Sequence, residues 1–543
     1  MFDLFSKKPG NLKDDTLSGL TVAFALVPEA IAFSMIIQVN PLIGLWAAVF
    51  MGFITAAFGG RPGMISGATG AIAVVLIPII AMGKKYAIDH GIEIEPIKLA
   101  EQFMFITLIL AGCLQVIVGL LKLGRFIRLV PHPVMMGFVN GLAIVIGLAQ
   151  ITSFKNKTGT DDSGAGIYAW MQGNELFTMI GLVLITMGII HFLPKFTKAI
   201  PSSLAAILVV GLLGFFNVVD TKTVGDILKE ADPASKGMLS GAFPSIADFS
   251  HVLDIGIWQI LQMVGGVAII VCAVGLIESL MTLQLIDEIT ETRGQGNREC
   301  LAQGSANMLS GLFGGMGGCA MIGQSLINIK SGGRGRLSGI VAALALLVFV
   351  MFAGKIIVQI PIAALTGVMF MVVIGTFEWS TFKTFGKVPL TDIFVILLVT
   401  VVTVYVDLAI AVLAGVVASA LIFAWKSSKH VFVHTEKETE TEKIYSVEGL
   451  LYFGSVKEFA EHFQASSDTE NIVIDFENAR ICDLSAIEAI NAMSERYKNA
   501  GKNLRLRHLS PDCRATLKRA GNLADIEVLP DDPDYSVASL RAD

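Results

Sequence analysis

GGMGGCAMIGQSLINIKSGG, residues 314–333, is the most informative segment of this sequence about its architecture. Apolar residues precede it at Leu309–Phe313, and a longer apolar run follows it from Leu337 to Phe352. Its glycine cluster leads into about eight mostly small or apolar residues, whereas a helix needs roughly 20 residues to cross the hydrocarbon core of a bilayer. The stretch therefore predicts a half-helix inside a membrane.

A half-helix leaves backbone groups unpaired within the bilayer, which is tolerated only against protein or a water-filled cavity. The first turn of such a helix presents free N–H groups and the positive end of the helix dipole. We therefore expect a cavity in which main-chain groups bind an anion without the help of an Arg or a Lys.

A second stretch, GGRPGMISGATGAIAVVLIPIIAM at residues 59–82, is built in the same way and leads into a short apolar helix that begins near Thr69. Interrupted helices at corresponding positions of two halves are the best sequence indication of the central site of a secondary transporter. Alternatively, both stretches are glycine-rich turns and close helix contacts, because glycine is common in membrane-spanning helices. The occurrence of two such stretches favours the transporter.

The composition is that of a polytopic membrane protein, with 54% hydrophobic and 16% charged residues in a chain of 543. The net charge of −6 is carried by loops and the C-terminal region, and no basic tract indicates a nucleic acid partner. The six cysteines lack the spacing of a metal site, and the eight histidines are scattered. With no catalytic set and no phosphate-binding loop in the sequence, we expect neither an enzyme, nor a cofactor, nor an ATP-driven pump.

About fourteen apolar segments follow one another, some of them too short to cross a bilayer alone. They are 16–38, 42–58, 68–83, 102–121, 132–152, 175–193, 201–219, 257–283, 300–313, 319–329, 337–354, 361–379, 391–406 and 408–425. They form a predicted transport domain, 16–425, that divides into two sets of seven, 16–219 and 257–425. Because seven is odd, the second set enters the membrane from the opposite side, which is the geometry of an inverted repeat.

An even number of crossings places the N-terminal residues 1–15 and the C-terminal region on one side of the membrane. The short loops on that side are rich in basic residues, which makes it the cytoplasmic side by the positive-inside rule. These residues are Lys7, Lys8, Lys13, Lys122, Arg125, Arg128, Lys195, Lys198, Lys330, Arg334, Arg336, Lys383 and Lys387. The N-terminus lacks the apolar core of a signal peptide, so the first span is expected to stay in the membrane.

The first span of each set contains one carboxylate, Glu29 or Glu278. A charge there costs about 2.5–3.5 kcal/mol on insertion scales, so each acid should face a cavity or a partner. Glu278 is followed by Ser279 and, one turn on, by Thr282, whose hydroxyls add oxygens for Na⁺ or for a proton acceptor. Na⁺ or a proton on Glu278 would permit an anion nearby, which predicts coupled transport. Alternatively, Glu29 reaches an interface and Glu278 makes a structural hydrogen bond.

After Trp425 the character of the chain changes. Residues 426–443 are charged and are predicted to be a linker. In residues 444–543, strands such as NIVIDF (471–476) alternate with helices such as Ala486–Tyr497. This alternation predicts a small α/β domain with a largely parallel sheet.

Taken together, the motifs resemble those of the SulP anion transporters, the family of sulfate permeases, pendrin, prestin and cyanobacterial bicarbonate transporters. The resemblance covers the whole chain. Its motifs are PEAIAF (28–33), SGATG (66–70), the acidic span around Glu278, the glycine-rich stretch 314–333 and, for a C-terminal STAS domain, VIDFENARICDLSAIEAI (473–490).

The resemblance implies an α-helical polytopic membrane protein of fourteen spans in a seven-plus-seven inverted repeat, with a core module and a gate module (UraA-like), and a cytoplasmic STAS domain. It places the anion between the facing half-helices, with the first, third, eighth and tenth spans around it, and it pairs subunits as homodimers. The residues it nominates for anion binding are Glu29, Phe33, Thr69, Gly70, Cys319, Ala320 and Met321. For ion coupling, with a bound Na⁺, it nominates Glu278 and Thr282.

Three positions depart from the family pattern. Ala68 replaces a proline that is common in the third-span motif, and Ile322 stands where the bicarbonate branch can carry a hydroxyl, which leaves the Na⁺ site less complete. Leu484 occupies the position of the serine in phosphorylatable relatives, so no phosphorylation switch is expected there. The next residue, Ser485, is expected to cap its helix.

We therefore predict a secondary active transporter of an inorganic anion in the bacterial inner membrane, with Na⁺-coupled bicarbonate uptake by elevator-like alternating access. The first alternative is H⁺-coupled transport of sulfate or a dicarboxylate, and a nucleobase carrier is a further one. An alternative of another class is a non-transporting membrane scaffold that acts through its STAS domain. A cytoplasmic protein is expected to bind the STAS domain in either case.

Overall fold

The structure, a computed structural model, describes residues 12–92, 94–125, 130–160, 166–197, 202–216, 219, 221–231, 244–352, 354–384, 386–406, 408–520 and 527–529. The predictions for Lys7, Lys8, Arg128 and Lys198 lie outside the described residues. The chain divides into two compact units, Met1–Val416 and Val417–Asp543, which are described separately below.

Fourteen helices correspond to the fourteen predicted apolar segments. They are α1 (Leu12–Ile36), α2 (Pro41–Phe58), α3 (Gly70–Asp89), α4 (Pro96–Leu120), α5 (His132–Gln150), α6 (Asn174–Phe196), α7 (Ser202–Phe215), α8 (Ile257–Thr290), α9 (Gly296–Leu312), α10 (Ile322–Lys330), α11 (Arg336–Phe352), α12 (Ile362–Thr376), α13 (Leu390–Tyr405) and α14 (Leu408–Ser428). Among the described residues, nine helices are long and apolar enough to cross a membrane. The prediction of a polytopic helical membrane protein is confirmed.

Short elements lie in the connections between these helices. They are the strands β1 (Ser66–Ala68), β2 (Lys155–Thr160), β3 (Gly166–Trp170) and β4 (Gly318–Ala320) and the helices Val224–Ala231, Ser250–Ile255, Gly354–Ile357 and Ser380–Thr384. The strands β2 and β3 pair in antiparallel orientation between α5 and α6.

The strands β1 and β4 are the elements that join the two sets of helices. They pair in antiparallel orientation, with Ser66 opposite Ala320 and Ala68 opposite Gly318. Each strand leads within two residues into the third helix of its set, α3 or α10. Because the strands run in opposite directions, the two helices leave this crossing in opposite directions, as an inverted repeat requires. The prediction that Thr69 and Ala320 lie close together is confirmed.

The lengths of the two interrupted helices differ, which corrects the sequence prediction. The helix α10 has only nine residues, as expected for a half-helix. The helix α3 has 20 residues and is not short. It continues past Met82 through Lys84 and Lys85 to Asp89, because lysines are good helix formers whose long side chains reach toward water from the end of a span.

The helices pack mainly within two groups. The first four helices of each set, α1–α4 and α8–α11, pack against one another, and the helices α5, α6, α7, α12 and α13 form the second group. This is the predicted division into a core and a gate module. Within the first group α4 and α9 approach each other closely, because a Cβ on either Gly112 or Gly304 would lie 2.6 Å from the carbonyl oxygen of the other glycine.

The second unit contains a five-stranded sheet in the order β5 (Phe432–Glu438), β6 (Glu442–Leu451), β7 (Asn471–Ile481), β8 (Asn503–Arg507) and β9 (Glu527–Val528). The strands β6 to β9 are parallel and β5 is antiparallel to β6, so the predicted, largely parallel sheet is confirmed. The helices α15 (Val456–Glu461), α16 (Leu484–Asn499) and α17 (Pro511–Ala520) connect the strands.

Two details of this domain correct the prediction. The predicted linker 426–443 is wrong over Phe432–Glu438, because these residues form β5, whose charged side chains are tolerated on an exposed edge strand. The helix α16 is capped by Asp483, which accepts a hydrogen bond from the Ala486 N–H at 3.0 Å, and not by Ser485. The cap lies earlier because the helix already begins at Leu484.

A buried carboxylate, Asp468, joins the sheet to α16 in this domain. It accepts hydrogen bonds from the Tyr445 hydroxyl at 2.7 Å, from the Lys443 ammonium group at 3.1 Å and from the Tyr497 hydroxyl. Burial by itself raises the pKa of Asp468, but these donors outweigh it and hold that pKa below its ordinary value. Burial and the bond to Asp468 together raise the pKa of Tyr445 to about 12.

We expect Asp468→Asn to lower the free energy of unfolding of the C-terminal domain by about 1–3 kcal/mol at pH 7, because an amide replaces a charged acceptor of three hydrogen bonds. The contribution of Asp468 is complete above the pKa of an unfolded Asp, about 3.9, and is lost as the pH falls through the lower folded pKa. The difference between the two proteins should therefore shrink below about pH 4. Urea unfolding of a fragment that begins at Lys429, followed by circular dichroism, measures both effects.

The matched control is Asp512→Asn, which removes a surface ion pair with Arg480. That pair is solvent-exposed, so we expect a change within about 0.5 kcal/mol. Equal stability of wild type and Asp468→Asn at pH 7 would contradict the role assigned to Asp468.

Candidate functional site

The crossing of β1 and β4 brings the two backbones so close together that glycine is required at Gly318. The register places Gly67 opposite Cys319 and Ala68 opposite Gly318. A Cβ on Gly318 would lie 2.0 Å from the carbonyl oxygen of Gly67, which is a main-chain atom that cannot move away without breaking the pairing. The glycine cluster in the sequence therefore reflects the close approach of two backbones.

Side chains take the place of neighbouring strands along the outer edge of β4. The N–H of Gly318 donates to Asn307 Oδ1 at 2.9 Å, and its carbonyl accepts from Asn307 Nδ2 at 3.1 Å. The N–H of Ala320 donates to Ser279 Oγ at 3.1 Å, and its carbonyl accepts from Thr282 Oγ1 at 3.3 Å. Such bonds are required because no bulk water reaches a buried backbone within a bilayer.

Two helix N-termini begin at opposite ends of this short crossing. Thr69 is the N-cap residue of α3 and Met321 that of α10, and neither side chain forms a capping hydrogen bond. The first-turn N–H groups of both helices have no carbonyl partner within their own helix. The positive ends of two helix dipoles and two sets of donors thus lie at the crossing, where they attract an anion.

The carboxylate of Glu278 lies directly beside the crossing. Its Oε2 accepts a hydrogen bond from the thiol of Cys319 at 2.8 Å, and the Cys319 sulfur is 3.1 Å from Thr69 Oγ1. The Thr282 hydroxyl donates to the main-chain carbonyls of Glu278, at 2.8 Å, and Ala320. Its lone pairs remain free to bind a cation, because the single proton of a hydroxyl serves only the donor role.

The remaining predicted residues surround the two helix starts. Glu29 is buried in α1 and accepts a hydrogen bond from the amide of Gln324 in the first turn of α10. Phe33 lies against the start of α3, where its Cε1 is 2.8 Å from the position of a Cβ on Gly70. On the same side, the Cδ1 atom of Ile146 is 2.6 Å from that position. Ile146 belongs to α5 and therefore to the second group of helices.

The structure thus brings all nine predicted residues to the crossing or directly beside it, and their roles in binding stay a prediction. One of them, Ala320, contributes its backbone to the site and not its side chain. The side chain of Ala320 packs against Met64 and Leu283, so only its backbone faces the polar groups of α8. Met321 donates its N–H to the carbonyl of Ile65 at 2.8 Å.

Several residues of this site were not predicted from the sequence. Gln324 and Asn307 each lie in a predicted apolar segment, after and before the glycine cluster, respectively. An amide side chain in an apolar segment needs a polar partner, so both residues could have been predicted to lie at the site. Ile146 had no such signal, because it is one apolar residue among many in α5.

A second cluster of potential metal ligands lies in the C-terminal domain. Ligand atoms of Asp475, Glu477 and His508 lie within 4.8 Å of one another. However, the carboxylate of Asp475 already accepts from Arg507 Nε at 2.6 Å and lies 3.0 Å from His508 Nδ1. Because the guanidinium group neutralises this carboxylate and would repel a cation, we assign no metal to the cluster.

A helical membrane protein with two interrupted segments that meet beside a buried carboxylate is built as a secondary transporter. The chain belongs to the sulfate permease family, whose profile matches residues 12–400, and a STAS domain profile matches residues 434–533. The predicted resemblance is therefore confirmed, and the protein is an anion transporter of this family.

Similar proteins cover nearly the whole chain. YbaR of Bacillus subtilis (strain 168), which carries the provisional name of a sulfate transporter, is 40% identical over 514 residues, which are 94% of this chain and 97% of YbaR. The bicarbonate transporter BicA of a Picosynechococcus species is 31% identical over 519 residues, which are 89% of this chain and 87% of BicA.

Solved structures show the same architecture. The transmembrane domain of a cyanobacterial bicarbonate transporter BicA matches with a TM-score of 0.61 at 29% identity, over 75% of this chain and 98% of that domain. Murine Slc26a9, an anion transporter, matches with a TM-score of 0.77 over 97% of this chain and 92% of its own. At 16% identity this second match shows the fold alone.

Proposed function

We propose that the protein imports bicarbonate in symport with Na⁺. The observation that carries this proposal is the position of Glu278, whose carboxylate lies beside β4 together with the Thr282 hydroxyl and the Ala320 carbonyl. A carboxylate, a hydroxyl and a carbonyl are the oxygen ligands that a hard cation prefers. The similarity to BicA supports bicarbonate as the anion.

The anion is bound by the start of α3 and the start of α10. Both helices direct their first-turn N–H groups and positive dipole ends to the crossing, and the Thr69 hydroxyl adds a further polar group there. Binding by main-chain donors suits a small anion with several oxygens, because each oxygen accepts from more than one N–H group.

Coupling follows from the repulsion between this anion and Glu278. Two like charges about 4 Å apart repel by about 4 kcal/mol at an effective dielectric constant of 20. A Na⁺ ion on the oxygens of Glu278, Thr282 and Ala320 cancels that repulsion. Each solute therefore raises the affinity for the other by the same factor, which is the thermodynamic basis of symport.

Alternating access is a movement of the first group of helices against the second, as in an elevator. The contact of Ile146 with the start of α3 joins the two groups at the site. In this mechanism the contact breaks when the site opens to one side of the membrane.

The same proposal covers the membrane location, the oligomeric state and the protein partner of the transporter. The protein lies in the bacterial plasma membrane with both termini in the cytoplasm, and it works as a homodimer. Its STAS domain binds a cytoplasmic protein partner.

The second candidate function is H⁺-coupled transport of sulfate or a dicarboxylate. It is favoured by the 40% identity to YbaR. It is also favoured by the thiol of Cys319, which occupies one oxygen of Glu278 and leaves fewer oxygens for Na⁺. A proton on Glu278 would remove the negative charge as effectively as a sodium ion.

Uptake into proteoliposomes distinguishes the two candidates. We expect an inward Na⁺ gradient to raise the initial rate of labelled bicarbonate uptake at least about tenfold over an equal K⁺ gradient. A tenfold difference in rate corresponds to a difference of about 1.4 kcal/mol in activation free energy. Protein-free liposomes at the same pH provide the background, because CO₂ crosses lipid unaided. Labelled sulfate and succinate are tested in parallel with Na⁺ and with pH gradients.

Accumulation of sulfate or succinate driven by pH alone, without stimulation by Na⁺, would contradict the first proposal and establish the second. Inhibition of uptake by uracil would indicate a nucleobase carrier. Absence of uptake under every gradient would favour the alternative that the protein is a non-transporting scaffold.

A further inference from the structure

Four polar side chains form a stripe along one face of α9. They are Glu299, Gln303, Asn307 and Ser310, spaced four, four and three residues apart. Their exposed fractions are 1%, 0%, 0% and 0%, respectively. Such spacing places them above one another on the helix surface. A buried polar stripe within a membrane domain is expensive, so its members should each have a specific partner.

The first half of the stripe holds the chain around β1. Glu299 Oε2 accepts from the N–H of Gly60 at 2.7 Å, in the loop that leads toward β1. Gln303 Nε2 lies 2.8 Å from Glu299 Oε1 and 2.8 Å from Ser66 Oγ, and it donates to both. Two neighbouring members of the stripe, Glu299 and Gln303, are thus hydrogen-bonded to each other and to the segment 60–66.

The second half of the stripe holds β4. Asn307 bonds both the N–H and the carbonyl of Gly318, and its Nδ2 also donates to Gln115 Oε1 at 2.9 Å. Ser310 Oγ donates to the carbonyl of Met316 at 2.8 Å. Two bonds to the backbone of one residue fix both its position and its orientation, as a neighbouring strand would.

We infer that Asn307 is a positioning residue of the transport site and that the stripe on α9 sets the relation between the starts of α3 and α10. The inference rests on the proposed function, because it concerns the same site. Without Asn307, the N–H and the carbonyl of Gly318 have no water to replace their partner.

The test combines transport with hydrogen exchange in full-length protein reconstituted in lipid. In Asn307→Leu we expect the KM for bicarbonate, and for sulfate in a parallel series, to rise at least about tenfold with Vmax changed less than about threefold. We expect amide exchange in residues 314–321 to be at least about tenfold faster, while exchange in residues 60–68 stays unchanged. Gln303→Leu should give the opposite exchange pattern.

Two further variants make the test decisive. Ser305→Ala changes an exposed residue of the same helix and should leave KM and exchange at their wild-type values. If Asn307→Leu does not fold, Asn307→Asp takes its place, because its carboxylate still accepts from the N–H of Gly318 but loses the donor to the carbonyl. Size-exclusion chromatography of each variant confirms folding.

A folded Asn307 variant with KM within about twofold of wild type, or with unchanged exchange in residues 314–321, would overturn the inference. That outcome would leave the proposed function intact. If wild-type protein transports neither bicarbonate nor sulfate, the proposed function fails instead, and the exchange contrast between Asn307→Leu and Gln303→Leu still decides whether Asn307 holds β4.

Discussion

Replacement of Glu278 by Gln is expected to abolish Na⁺-driven accumulation of the anion while the protein stays folded. A glutamine has nearly the same shape, and its side-chain oxygen still accepts the hydrogen bond from Cys319. What it lacks is the negative charge. At about 4 Å, a charge pair is stabilised by about 4 kcal/mol at an effective dielectric constant of 20, so Na⁺ affinity should fall on the order of 100-fold or more.

The consequence for transport is uncoupling. Because the repulsion between Glu278 and the anion also disappears, exchange of anions across the membrane without a cation gradient should persist. The measurement is the ratio of initial uptake rates with Na⁺ and with K⁺ outside proteoliposomes. We expect this ratio to fall from its wild-type value to about 1 in the variant.

The matched control is Glu288→Gln, which removes a carboxylate from an exposed position of the same helix. It should keep the wild-type Na⁺ dependence. If Glu278→Gln shows the same dependence on Na⁺ and on pH as wild type, Glu278 has no part in coupling, and a different residue must neutralise or bind the driving ion.

Gly318→Ala is expected to abolish uptake of every anion, with a rate at least about 100-fold below wild type. The new methyl group would lie 2.0 Å from the carbonyl oxygen of Gly67 and 3.0 Å from the Met51 side chain. The first of these is backbone, so the crossing itself must separate. Overpacking of this kind costs about 1–3 kcal/mol and displaces both helix starts from the anion.

The control for this experiment is Gly266→Ala, at an exposed position of α8 where a Cβ meets no atom within 4 Å. Its uptake should equal that of wild type, because alanine is also the better helix former. Initial uptake rates, normalised to protein that elutes as a single peak in size-exclusion chromatography, give the comparison. Wild-type uptake by Gly318→Ala would show that the pairing of β1 and β4 is not maintained during transport.

The pairing of two distant segments was predictable because the same unusual pattern occurs twice. Glycine clusters before short apolar runs have few uses in a membrane other than close backbone contact, so Thr69 and Ala320 could be expected to meet. The buried acids Glu29 and Glu278 were predictable for a similar reason, since an acid in an apolar segment needs a partner.

Boundaries were predicted less well where composition and structure disagree. The first two lysines after Met82 look like the end of a span, yet α3 continues to Asp89. Residues Phe432–Glu438 lie in a charged stretch that looks like a linker, yet they form an exposed edge strand. In both cases the polar residues indicate contact with water, and they do not mark the end of the helix or the absence of a strand.

The class of this protein, a polytopic helical anion transporter of the sulfate permease family with a STAS domain, was predictable from the sequence. That was possible because hydropathy, the repeated glycine clusters and lone buried acids are local in the chain. The groups that complete the site became visible only in the folded chain. The bonds from Asn307 to Gln115, from Ser279 to Ala320 and from Gln324 to Glu29 join residues far apart in sequence, and hydrogen-bond partners at that separation depend on how helices pack.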